Sequence, residues 1–163
     1  YHMKEENIRN DIIQASTSSL NLDQSNIIFN KAKHLNKIIN KPVGLDIIAS
    51  YKRASNILYS ELKNDKIELS NTTEPGIFKT ELEKNLFKKI NELKKYFSSI
   101  NKDENYVQSL DNLAGIKREV FDFFDNVIVN EHDPVIRKNR LELIQMMCKT
   151  FNNYVNFSLI DSH

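Results

Sequence analysis

Three glycines and three prolines are all that can interrupt 163 residues of backbone. So few helix breakers leave room for long helices and argue against a fold of many short strands and tight turns. Apolar residues recur near 3.6-residue spacing over six segments. The segments cover about Glu5–Ser16, Asp23–Asn40, Leu45–Lys63, Phe78–Ser98, Glu104–Val127 and Pro134–Phe157. The breaks fall at Ser16-Thr17-Ser18-Ser19, Lys41-Pro42-Val43-Gly44, a polar linker Ser70–Gly76, and Asn101-Lys102-Asp103. Helices joined by short connections pack antiparallel, so the expected fold is an all-α antiparallel bundle of about six helices.

Bulk properties narrow the function. A net charge of +1 excludes a polycation that grips nucleic acid by overall charge alone, leaving only a local basic face. One cysteine, Cys148, excludes an internal disulfide and a multi-cysteine zinc site, and fits a reducing compartment. Its place on an apolar helix face makes it a small buried hydrophobe, not a nucleophile. No apolar run approaches the ~20 residues that span a bilayer, and no signal peptide is visible. Tyr1-His2-Met3 reads as a remnant before a start at Met3, in which case a piece of something longer is expected. Phosphate-binding glycine loops and nucleophile elbows are absent. His132-Asp133 spells the metal-phosphohydrolase dipeptide, but a metal needs several convergent ligands, so His132 reads as a helix-junction residue.

Two stretches stand out. On the third helix, Ile47, Ile48, Tyr51, Leu58 and Leu62 form the apolar face, and Lys52, Asn56 and Tyr59 run along its edge, with Arg53 further out. A lysine for phosphate, an asparagine to hydrogen-bond and a tyrosine to stack suit RNA. A solvated helix edge is the plainer reading of the same spacing. The second stretch runs from Phe123 to Leu143. Asp133-Pro134 is a strong helix start: the carboxylate caps free N–H groups, and proline at the first helical position loses no bond. The helix then buries Leu141, Ile144, Cys148, Phe151 and Val155. Arg137 falls on that inward stripe and is expected to be structural, paired with Asp122 or Asp125 of the preceding helix. Arg140 lies at the flank. With Asn126, Lys138 and Asn139, it makes the expected reading surface.

These stretches carry a resemblance. Phe-Phe-Asp-Asn-Val-Ile-Val (123–129) and Asp-Pro-Val-Ile-Arg-Lys-Asn-Arg-Leu-Glu-Leu (133–143) resemble the C-terminal region of the β subunit of bacterial glycyl-tRNA synthetase. Asp133, Arg137 and Leu141 resemble the DALR helix of its anticodon-binding domain, although Pro134, Val135 and Ile136 depart from the letters of that name. Tyr51–Leu58 is similar to the family's Tyr-Lys-Arg-Ala-x-Asn-Ile-Leu, and Glu74–Phe78 with Glu83–Phe87 resembles the lead into its next helix.

The resemblance implies a DALR-type bundle over residues 41–163, with residues 1–40 a helical segment preceding or abutting it. It implies a β subunit that binds glycine tRNA in a bacterial cytoplasm, within a heterotetramer. There the α subunit activates glycine with ATP and magnesium. This fragment would be non-catalytic and need no cofactor, DNA or membrane. The glycine anticodon carries two adjacent cytosines, whose N4 suits an acceptor and whose O2 and N3 suit donors. Asn126, Glu131, Arg140 and the edge Lys52, Arg53, Asn56 and Tyr59 supply those types. Two other readings stand beside it: the anticodon domain of another DALR-type synthetase, such as the arginyl enzyme, and a helical protein-interaction module without RNA.

Overall fold

A computed structural model describes residues 7–18, 25–99 and 105–161. Its helices are α1 (Asn10–Thr17), α2 (Ser25–Ile38), α3 (Pro42–Asn64), α4 (Glu81–Ser99), α5 (Tyr106–Ala114), α6 (Lys117–Asn126) and α7 (Pro134–Phe151). Single 3₁₀ turns lie at Pro75–Ile77 and Phe157–Leu159. The all-α expectation holds, and no strand occurs among the described residues. The predicted turn at Asn101-Lys102-Asp103 and the predicted helix starts at Glu5 and Asp23 lie outside the described residues, as do Tyr1-His2-Met3.

The central pair is α3 and α7. Around it, α5 packs on α3 and α2, while α6 packs on α4 and α3. Helix α3 starts three residues earlier than its apolar spacing suggests, because Pro42 occupies its first turn at no loss of hydrogen bonds. Gly44 is then obligatory by position. A Cβ there would lie 2.1 Å from the Ile38 carbonyl oxygen, so α2 and α3 meet backbone to backbone.

The predicted fifth helix divides in two. Gly115, a poor helix former, donates its N–H to the Asp111 carbonyl and ends α5. The turn at Gly115–Ile116 buries Ile116 and lets α6 run along α4. The last helix ends at Phe151, not Phe157, because Asn152 closes a turn with its side chain. Its carboxamide oxygen accepts from the Phe157 amide at 2.9 Å, and its nitrogen reaches the Tyr51 hydroxyl at 3.3 Å.

The fourth helix also starts later than Phe78. Thr80 accepts from the Glu83 amide, and the Glu83 carboxylate reaches back to the Lys79 amide. This reciprocal arrangement belongs to the capping-box class and stops the helix from extending toward Phe78. Leu86, Ile90, Leu93 and Phe97 are buried as their spacing predicts, but on the first turn Glu83 takes the buried place and Leu82 is only half-buried.

One apolar core joins both ends of the chain. Ile8, Ile12 and Ala15 of the first segment, with Ile28, Ala32, Leu35 and Ile39 of the second, share it with Ile47, Leu113, Leu141, Phe151 and Phe157. Polar ties reinforce the closure. The Asn156 amide donates to the Ala15 carbonyl at 3.0 Å, the Tyr154 hydroxyl donates to the Lys31 carbonyl at 2.9 Å, and the Asp161 amide donates to Asp11 at 2.8 Å. No helix among the described residues is long and apolar enough to cross a membrane.

Candidate nucleic-acid interface

The start of α7 forms as its sequence predicts. Asp133 Oδ1 accepts from the amides of Val135 (2.9 Å) and Ile136 (3.4 Å), and Pro134 takes the first helical position. The side chains that follow have partners the sequence does not reveal. Arg137 pairs with Glu61 and Asp65, both at 2.7 Å, and not with Asp122 or Asp125. Topology is the reason: α7 lies along α3, so its first turn faces the C-terminal end of α3 and not that of α6. Asp125 is taken by Arg53 at 2.6 Å, and Asp122 stands 4.0 Å from the exposed Arg118.

Arg140 does not present itself to RNA. It is 5% exposed, and its Nε and Nη2 donate to Glu83 Oε1 at 2.8 and 2.7 Å. Its Nη1 donates to the Ile128 carbonyl at 2.7 Å, with Glu131 3.5 Å away. The flank of α7 that looks open on a helical wheel is covered by the capped first turn of α4. A buried cation needs such a partner, because leaving it unpaired costs several kcal/mol.

Asn139 does not face RNA either. It is buried, and its carboxamide accepts from the Glu74 amide at 2.8 Å and donates to the Glu74 carbonyl at 3.1 Å. The stretch taken for a linker is therefore a strap fixed to α7. Besides Asn139 on Glu74, the Glu142 carboxylate accepts from the Ser70 amide at 2.8 Å and from its hydroxyl, and Lys149 donates to Asn71. Glu61, Asp65, Glu83 and Glu142 were not singled out from sequence. Only Glu83 carries a local sign there, the Thr80-x-x-Glu83 spacing of a capping box.

Of the other junction candidates, Lys138 and Asn126 are exposed, the latter donating to the Asp122 carbonyl at 2.9 Å. Glu131 is half-buried, accepting from the His132 amide at 3.0 Å and facing Arg140. His132 is exposed, and no group of three or more His, Cys, Asp or Glu able to hold a metal occurs among the described residues. Burial pushes the Cys148 thiol up to about 12, so it is not available as a thiolate at neutral pH.

The α3 edge is more open. Arg53 does not point outward: its guanidinium lies over Phe121 and Phe124, 4.9 and 5.5 Å from their ring centroids, while it pairs with Asp125. It clamps α6 to α3. Lys52 is partly exposed, Asn56 exposed, and Tyr59 70% exposed. The three lie on one stripe of the helix at three- and four-residue spacing. Their side chains make no hydrogen bond or ion pair with the described residues, so they are free to meet a ligand.

A family model for the DALR anticodon binding domain matches residues 47–160. The chain is similar to the glycine–tRNA ligase beta subunit of Rickettsia bellii (strain OSU 85-389), 37% identical over 139 residues, covering 85% of this chain and 20% of that protein. It is similar also to the glycine–tRNA ligase beta subunit of Rickettsia prowazekii (strain Madrid E), 31% identical over 127 residues, covering 78% of this chain and 18% of that protein. The chain thus spans about a fifth of the length of these relatives. A match running from the buried face of α3, through the strap and the paired arginines of α7, to the closing turn takes in α7 and all but the first turn of α3, and the chain belongs to the DALR anticodon binding domain family.

Proposed function

We propose that this chain is the anticodon-binding part of a glycine–tRNA ligase beta subunit and that it holds the anticodon loop of glycine tRNA. The observation that carries the reading is the family match over residues 47–160, joined to relatives that bear the name of that subunit. The free edge of α3 supports it. In this reading Lys52 holds a phosphate, Asn56 hydrogen-bonds a cytosine edge, and Tyr59 stacks. Asn126 and Lys138 remain accessible at the junction, whereas Arg140, Asn139 and Arg137 act by fixing the scaffold. In this reading the fragment performs no chemistry. It contributes tRNA affinity to a holoenzyme whose α subunit carries the ATP- and magnesium-dependent activation of glycine, in the bacterial cytoplasm. Residues 1–40 are a helical layer abutting the bundle of residues 41–163, and the core shared by Ile12, Leu35 and Phe157 supports that arrangement.

The test is a pair of stem–loops differing only in the two anticodon cytosines, each titrated into the 163-residue chain at moderate salt. Tighter binding of the cytosine-bearing loop, by about tenfold or more, is the expected result. Equal affinity would refute anticodon reading by this chain.

A further inference from the structure

A shallow apolar cleft of about 470 Å³ opens between the C-terminal half of α3 and α7. Leu58, Leu62 and the edge of buried Cys148 line it, and Tyr59 stands at its rim with 70% of its surface exposed. The cleft falls within the size range of small-ligand sites, roughly 300–1,000 Å³. Its electrostatic setting is unusual for an apolar patch. Every carboxylate of α3 is already engaged: Asp46 with Lys117, and Glu61 with Arg137. Asp65, just past the helix end, is held by Arg137 as well. Lys52 and Lys63 make no ion pair among the described residues. They lie about 16 Å apart along the helix axis, with Tyr59 between them. The edge is therefore locally cationic on a chain whose net charge is only +1.

We propose that this cleft takes one splayed-out nucleobase of a single-stranded RNA loop, stacked on Tyr59 above Leu58 and Leu62, with Lys52 and Lys63 holding the phosphates on either side. The inference deepens the anticodon reading and rests on it. An aromatic ring at the rim of an apolar floor gives the base a face on each side, and such stacking tolerates any base identity. Discrimination therefore falls to the neighbouring hydrogen-bonding group, Asn56. A protein partner is less well served here. A stable interface needs about 800 Å² from each partner, far more than this cleft offers, and gains little from unpaired lysines around an apolar centre.

The chain contains no tryptophan, which makes the test direct. Tyr59→Trp introduces a sole tryptophan at the rim, excited apart from the remaining tyrosines. The proposal expects its emission to be quenched at least twofold on saturation with a glycine anticodon stem–loop. It also expects Tyr59→Ala to weaken binding by about tenfold, the loss that accompanies removal of one base–aromatic stack. Leu58→Glu, which puts a carboxylate on the floor, should weaken binding at least as much, while circular dichroism confirms that both variants stay folded. If the wild-type chain binds the cytosine-bearing loop selectively but the tryptophan emission does not change and Tyr59→Ala binds normally, the cleft assignment is overturned and anticodon reading survives. Loss of cytosine selectivity in the wild-type chain removes both. A concentration-dependent dimer that Tyr59→Ala abolishes would assign the cleft to a protein contact and overturn the proposal.

Discussion

At residue level, buried charge in this molecule works by pairing. Arg140 and Glu83 are both almost fully buried and tie α7 to the first turn of α4. Removing one partner strands the other, so Arg140→Ala and Glu83→Ala should each cost about 3–5 kcal/mol, read as a fall in the urea midpoint. The double substitution Arg140→Met with Glu83→Leu should recover much of that loss. A double variant no more stable than the singles would show that the capping box at Thr80, not the ion pair, dominates. Asp11 offers a pH-dependent counterpart. Burial raises its carboxyl, but the Arg9 guanidinium and the Asp161 amide outweigh burial and hold it below the ordinary value of 3.8. The folded value is depressed, so its stabilisation is complete above the unfolded value and disappears as pH falls through the folded one. Melting temperatures measured from about pH 5 downward should fall less steeply for Asp11→Asn than for the wild-type chain.

At the level of the elements, two glycines in the helical framework have opposite duties. Gly44 sits where a Cβ would lie 2.1 Å from the Ile38 carbonyl oxygen and 2.6 Å from the Ile39 Cα. Backbone cannot yield as a side chain does, so Gly44→Ala should force α2 off α3 and destabilise strongly. Gly115 carries an ordinary helical φ of −66°, and a Cβ there makes only van der Waals contact at 3.4 and 3.5 Å. Gly115→Ala should therefore stabilise by about 0.4–1 kcal/mol, mainly by restricting the unfolded chain. Opposite shifts of the two melting temperatures are the expected outcome. The cap of α7 belongs to the same level: Asp133→Ala should cost about 1 kcal/mol.

For the whole molecule, charge arrangement matters more than charge total. Ion pairs absorb two of the four cations that the sequence offers to RNA, Arg53 and Arg140, and Lys117 and Arg137 likewise hold helices together. What remains on the α3 edge is a small number of lysines. Binding of the anticodon stem–loop should therefore show a shallow salt dependence, with log K falling by about 0.7 per tenfold increase in salt for each phosphate neutralised. A total slope of about −1.4 would match Lys52 and Lys63 acting together. A slope of −4 or steeper, measured by anisotropy, would mean that a wider basic surface takes part.

Local chemistry determined much of this architecture. Few breakers and 3.6-residue spacing dictated an all-helical bundle, Asp133-Pro134 dictated where the last helix starts, and the stripe of Lys52, Asn56 and Tyr59 was legible because i, i+4 and i+7 positions share a helix face. The family resemblance was readable in three ordered stretches. Partner choice was not. Arg137 and Arg140 differ by less than a turn, and a helical wheel left Arg140 outside. Tertiary packing laid α4 over that flank and supplied Glu83, fifty-seven residues away, as its partner. The same holds for Asn139 and Glu142, whose partners come from a strap with no periodicity of its own, and for Arg137, whose partners lie at the far end of α3. Helix formation depends on neighbours three and four residues away. A buried polar side chain depends on whatever the topology brings within 3 Å.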